Sequence, residues 1–141
     1  MKRGPQLRGL SSDHHSGLVL AARARRASDA DERTAQAEWQ RIVERFHAGL
    51  EPHFRIEEQA LLPALEAAGE IALVERTLHE HARLRDLVQE PTAKHLSTFA
   101  DQLRDHIRFE EQVLFPRAET RLDAEALARI ARLHNAVQAS D

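Results

Sequence analysis

The chain has 141 residues; 30% are charged, 42% hydrophobic and only 4% aromatic, and the formal net charge is −3. That length suits one domain with a real core, and the acidic balance argues against a nucleic-acid partner. Cysteine is absent, which excludes disulfides and thiolate metal sites, and no apolar run approaches the roughly 18 residues of a membrane span.

Ala, Leu, Glu and Arg dominate, all good helix formers, so an all-α fold is predicted. Residues 1–10, MKRGPQLRGL, carry Gly, Pro and charge and read as a flexible tail. They hold no apolar stretch of the kind a secretory leader needs, so a cytoplasmic protein is expected. The Ser-Ser-Asp at 11–13 offers a cap for a first helix ending near Ala27. A long second helix is predicted from Asp31 to Leu62, with Pro52 introducing an irregularity near Gly49–Pro52. Pro63 should end its regular part, with a last turn closed by Gly69. A third helix spans Glu70 to Gln89, ahead of Pro91; a fourth is capped by Thr92 and stopped by Pro116. A last helix, Asp123 to Val137, carries Leu127, Ile130, Leu133 and Val137 on one side. Short links between long helices predict an up-down-up-down four-helix bundle over residues 11–118, with residues 119–141 forming an additional short helix packed on it.

One segment occurs twice. HFRIEEQALLP (53–63) and HIRFEEQVLFP (106–116) share seven of eleven positions, and the other four exchange apolar residues. Leu96, Phe99, Leu103, His106, Glu110 and Val113 recur at steps of three and four, a heptad seam; Trp39, Ile42, Phe46, Gly49, His53, Glu57 and Ala60 repeat it. His and Glu therefore take core positions one turn apart on both helices. In LHEHARL, His81 lies with Val74, Leu78, Leu84 and Val88 and points inward, whereas His79 falls on a polar face. On the first helix, His15 shares a face with Leu18, Val19 and Ala22 and is preferred over His14 as the inward residue. Surface or packing roles suffice for His47, His95 and His134.

Buried carboxylates are expensive unless paired or bound to metal. Two Glu and four inward His exceed the four donors of a structural zinc. They suit two metals about 3.5–4 Å apart, bridged by Glu57 and Glu110, each completed by two imidazoles. Iron, manganese and zinc all accept such donors; redox chemistry requires iron or manganese. The competing reading, a metal-free bundle with buried His–Glu hydrogen bonds, needs two such pairs at matching depth.

DHH at 13–15, EHARL at 80–84 and the two repeats resemble, in order, the hemerythrin-like (HHE cation-binding) family over residues 11–116. The resemblance implies a non-heme di-iron centre held by His15 or His14, His53, Glu57, His81, His106 and Glu110, with both Glu bridging. Glu58 and Glu111 are then solvated or supporting carboxylates. Oxygen-carrying members use a fifth His four residues before the third-helix ligand and a carboxylate five after the fourth-helix His. Thr77 stands at the first position, and here the fourth-helix carboxylate is Glu110, four after His106. The chain thus resembles the six-ligand branch, which includes di-iron proteins linked to nitric oxide, peroxide and iron–sulfur repair. That implies a protein that binds or reacts with a small oxidant: oxygen, peroxide or nitric oxide. The alternatives are non-catalytic iron storage, delivery or sensing, and a purely structural bundle.

Overall fold

The computed structural model describes residues 3–139; residues 1 and 2 of the expected tail lie outside the described residues. The described residues form a bundle of five helices and no strand. Helix α1 is Arg8–Ala27. Helix α2 spans 32–67 in five segments: α-helical Glu32–Arg45, a π turn Phe46–Leu50, Glu51–Ile56, a second π turn Glu57–Leu61, and Leu62–Ala67. Helix α3 is Ile71–Val88. After a 3₁₀ turn, Ala93–His95, α4 spans 96–121 as Leu96–Phe109, a π turn Glu110–Leu114, and Phe115–Arg121; α5 is Ala124–Ala139. None of these helices is long and apolar enough to cross a membrane.

The expected stop at Pro116 is corrected, because the helix continues past it; at Pro63 the helix runs on to the expected close at Gly69, but stays regular from Leu62 to Ala67. Each proline, like Pro52, follows a π turn by two residues. A proline ring collides with the carbonyl four residues back and offers no N–H. Those carbonyls belong to Ala48, Gln59 and Gln112, all inside the π turns, where the wider helix makes room. The inserted residue also shifts the buried face by one position. Leu50, Leu61 and Leu114 enter the core in place of the expected Gly49, Ala60 and Val113.

Helix α1 starts earlier than the Ser-Ser-Asp cap suggests. Leu7 and Leu10 are fully buried, and the Gly4 N–H donates to Glu119 Oε2 at 2.6 Å, tying residues placed in the expected tail to α4. Thr92, expected to cap α4, makes no side-chain cap hydrogen bond; the Ala93 N–H donates instead to Gln36 Oε1 of α2 at 3.0 Å, and α4 begins after the 3₁₀ turn. The ends at Asp31, Gly69 and Asp123 follow the predicted chemistry. Asp31 caps α2 by accepting from the Thr34 N–H at 2.8 Å. Gly69 adopts φ +90°, and the Glu70 N–H reaches the Leu65 carbonyl at 2.9 Å, which closes the helix. The Trp39 indole donates to the Glu90 carbonyl at 2.8 Å, pinning the α3–α4 link to α2. Asp123 Oδ1 accepts from the Ala126 N–H at 2.8 Å and starts α5.

The apolar core divides into two clusters. One holds Leu20, Ala24, Trp39, Ile42, Phe46, Phe54, Leu84, Phe99 and Leu103. The other holds Leu7, Leu10, Leu61, Leu65, Val74, Leu114, Phe115 and Ile130, with Ile130 contributed by α5. In chain order, every bundle helix passes from one cluster to the other near a buried polar residue or pair: His14 in α1, His53 and Glu57 in α2, His81 in α3, and His106 and Glu110 in α4.

Candidate metal centre

His14, His53, Glu57, His81, His106 and Glu110 meet in the layer between the two apolar clusters, none more than 3% exposed. They fall into two groups of four, His14–His53–Glu57–Glu110 and Glu57–His81–His106–Glu110. Within each group the donor atoms lie within 4.8 Å of one another, and Glu57 and Glu110 belong to both. The imidazole Nε2 atoms face these two carboxylates. His14 Nε2 is 2.8 Å from Glu110 Oε1, and His53 Nε2 is 3.1 Å from Glu57 Oε2. His81 Nε2 is 3.0 Å from Glu57 Oε1, and His106 Nε2 is 3.0 Å from Glu110 Oε2.

The expectation that His15 turns inward is corrected: His15 is exposed and His14 is buried. Leu18 and Val19, which suggested the wrong face, are 45% and 49% exposed. The buried stripe of α1 is Leu10, His14, Gly17, Leu20, Ala21 and Ala24. Small residues there let α1 approach α4 closely, and they carry little hydrophobic signal. Leu78, expected beside His81, is likewise exposed, whereas His81 is fully buried. His79 is exposed, as its polar face predicts.

The outer nitrogen of each of the four imidazoles in this cluster meets a second carboxylate. His53 Nδ1 lies 3.0 Å from Asp13 of α1, and His81 Nδ1 lies 2.7 Å from Glu58 of α2. His106 Nδ1 lies 2.7 Å from Glu80 of α3, and His14 Nδ1 lies 2.6 Å from Glu111 of α4. Each helix thus supports the imidazole of the next, and α4 returns to α1. The ring closes around the bundle. An Nδ1–H donated outward leaves Nε2 facing the centre, the arrangement found behind metal-bound imidazoles. Glu58 and Glu111 act as supports rather than solvated groups. Asp13 and Glu80 were missed by sequence reasoning. The available signal was adjacency: Asp13, Glu58, Glu80 and Glu111 each neighbour an inner donor in the chain.

Three of these carboxylates carry an arginine. Arg85 binds Glu58 at 2.8 Å and sits 5.6 Å from the centroid of Phe54, whose ring stacks on His81 at 3.9 Å. Arg3 binds Glu111 at 3.3 Å and sits 5.6 Å from the centroid of Phe115, whose ring stacks on His14 at 5.2 Å. Arg76 binds Glu80 at 2.9 Å and lies 3.8 Å over Phe109 beside His106. These rings screen the imidazoles from water and fix their planes.

Burial opposes every charge here, but the contacts reverse its effect. Despite burial, bonds to Glu110, Glu57 and Glu58 raise His81 to about 11, and Glu110 and Glu80 raise His106 to about 9. Against burial, His81 and Arg85 hold Glu58 down at about 2, and His14 and Ser11 do the same for Glu111. Glu110 is held well below the carboxylate range, against its burial, chiefly by His106. A cation in this centre would compete with protons for the Nε2 atoms.

The donor set fits such cations. Glu57 Oε2, Glu110 Oε2 and His106 Nε2 are buried and lack a well-directed hydrogen bond among the described residues, although other donor atoms approach within about 3 Å. Leaving a buried polar atom unsatisfied costs about 1–3 kcal/mol, and atoms converging without bonding each other are what shared cations would satisfy. Thr77, at the position of the fifth His of oxygen carriers, is buried and donates to the Leu73 carbonyl at 2.7 Å, so it offers the centre nothing.

The family model described as the hemerythrin HHE cation binding domain matches residues 7–118. No curated protein and no solved structure gives a match. With four helices that bring the two repeated His–Glu pairs together with His14 and His81 in one buried cluster over the matched span, the chain belongs to the hemerythrin HHE cation-binding family.

Proposed function

We propose that the centre holds two iron ions and that the protein binds or reacts with a small oxidant: oxygen, peroxide or nitric oxide. The observation that carries this reading is the overlap of the two donor groups on Glu57 and Glu110. On this reading His14 and His53 would hold one metal and His81 and His106 the other, with Glu57 and Glu110 available to both. Manganese and zinc suit the same donors, but zinc supplies no redox chemistry. When bound, iron would supply electron transfer, and with two imidazoles and two carboxylates on offer to each ion, positions would remain for a small ligand.

The chain's own residues do the rest. Asp13, Glu58, Glu80 and Glu111 hold the imidazoles with Nε2 inward. Phe54 and Phe115 cover two of the rings and keep water out. Thr77 puts no imidazole at the position of the oxygen carriers' fifth His, its hydroxyl being committed to the Leu73 carbonyl. The order in which the helices join the two apolar clusters supports an up-down-up-down bundle as the frame.

Protein reconstituted anaerobically with Fe(II) is expected to hold two equivalents per chain. Its visible spectrum should change when oxygen, peroxide or nitric oxide is added. Uptake of two irons with no spectral response to any of the three would favour storage, delivery or sensing instead. Uptake of less than one equivalent would leave only a structural bundle.

A further inference from the structure

Four outer carboxylates support four imidazoles, but the four corners are not alike. Glu58, Glu80 and Glu111 are each held by an arginine that also lies over an aromatic ring. Among the described residues Asp13 has no arginine partner. Its Oδ2 accepts from two imidazoles at once, His53 Nδ1 and His134 Nε2, both at 3.0 Å. His134 is buried and belongs to α5, whose first residue, Ala124, lies beyond the end of the family match at residue 118.

The fit of His134 is close. A Cβ added to Gly9 of α1 would lie 2.5 Å from His134 Nδ1 and 2.6 Å from its Cε1. Gly9 and Asp13 stand one turn apart on α1, so the helix that supplies the carboxylate also leaves the space for the ring that holds it. The Asp13 side chain is 25% exposed, and among the described residues its hydrogen bonds are to these two histidines. With only one partner, a short carboxylate at the edge of solvent is free to leave its rotamer. A second donor on the same oxygen fixes it, as the arginines do at the other corners.

We propose that His134 is a positioning residue of the metal centre. By fixing Asp13 it holds the Nδ1–H of His53 and directs its Nε2 at the His14/His53 half, which makes the C-terminal helix a working part of the centre. The two halves, alike in their inner donors, are thereby made different in their support. The inference rests on the dimetal reading above, and its test separates the two.

Full-length wild type and the variants His134→Ala, His134→Gln and Gly9→Ala are titrated with Co(II) against a chromophoric chelator. The Co(II) visible bands report each half's donor set. His14→Ala, which removes an inner donor, identifies the step that belongs to the His14/His53 half. Wild type is expected to bind two equivalents. His134→Ala should weaken that step about tenfold, the lower end for outer partners of metal-bound imidazoles, and leave the other step within twofold. Gln places an N–H close to the His Nε2 position, so His134→Gln should recover most of the loss. Gly9→Ala should reproduce the loss without altering any hydrogen-bonding group. Equal weakening of both steps would assign His134 a merely structural role and overturn the proposal. So would unchanged affinities in both His134→Ala and Gly9→Ala. Fewer than two equivalents in wild type would overturn the dimetal reading, and this inference with it.

Discussion

Glu110→Gln is the sharpest single perturbation of the centre. The replacement keeps the shape of the side chain and removes one anionic oxygen and the charge. Glu110 is approached by four imidazoles, at 2.8 Å from His14, 3.4 Å from His53, 3.7 Å from His81 and 3.0 Å from His106. It belongs to both donor groups, so the change reaches both metals. Losing an outer partner of a metal ligand typically weakens binding 10–100-fold; a shared inner donor belongs at the upper end, about 100-fold at each site. At a free metal concentration of about 100 times the dissociation constant, each occupied site stabilises the fold by about 2.7 kcal/mol. Unfolding of 141 residues carries an entropy of about 300 cal/mol/K, so two sites raise Tm by about 18 °C. After a 100-fold loss, each site contributes about 0.4 kcal/mol and the rise falls to about 3 °C. The assay is scanning calorimetry with and without Co(II) at one fixed free concentration. Comparing each protein with its own metal-free form removes any change in intrinsic stability. Exposed Glu75→Gln serves as the control and should keep the wild-type shift. A Glu110→Gln protein that retains two equivalents and a shift within a few degrees of wild type would refute the bridging role.

Two further outcomes are expected. His14→Ala should lower metal content from two equivalents towards one by elemental analysis, whereas His15→Ala, on the exposed face, should leave it unchanged; the opposite pattern would reverse the assignment of α1. Gly17→Ala would place a Cβ 2.7 Å from Ile107 Cδ1, so overpacking should outweigh the gain in helix propensity and destabilise by about 1–3 kcal/mol. An unchanged or raised melting temperature would show that the Ile107 side chain makes room for the methyl at little cost.

The parts of the centre that were legible in the chain are those set within one helix. His53 and Glu57, like His106 and Glu110, stand four residues apart, and helical geometry puts such pairs on one face whatever surrounds them. His81 was separable from His79 because Val74, Leu84 and Val88 outweigh the misleading Leu78. His14 was misread because the packing face of α1 is built of Gly17, Ala21 and Ala24, while the conspicuous Leu18 and Val19 face outward. The seam positions Gly49, Ala60 and Val113 were each misplaced by one residue because a π turn leaves no mark on apolar periodicity. Pro52 reads as an irregularity, as the π turn before it shows, whereas Pro63 and Pro116 read as ending regular helix.

Helix content, the inward direction of the repeated His–Glu pairs and the donor chemistry came from the sequence by itself, since rise and rotation per residue are local properties of the backbone. Three features needed the tertiary structure: the choice of His14 over His15, the ring in which each helix's carboxylate supports the next helix's imidazole, and the contact of His134 with Asp13. Each depends on how far apart two helices stand and how each is rotated about its axis. Those quantities are set by packing between residues distant in the chain, which the spacing within any one helix does not contain.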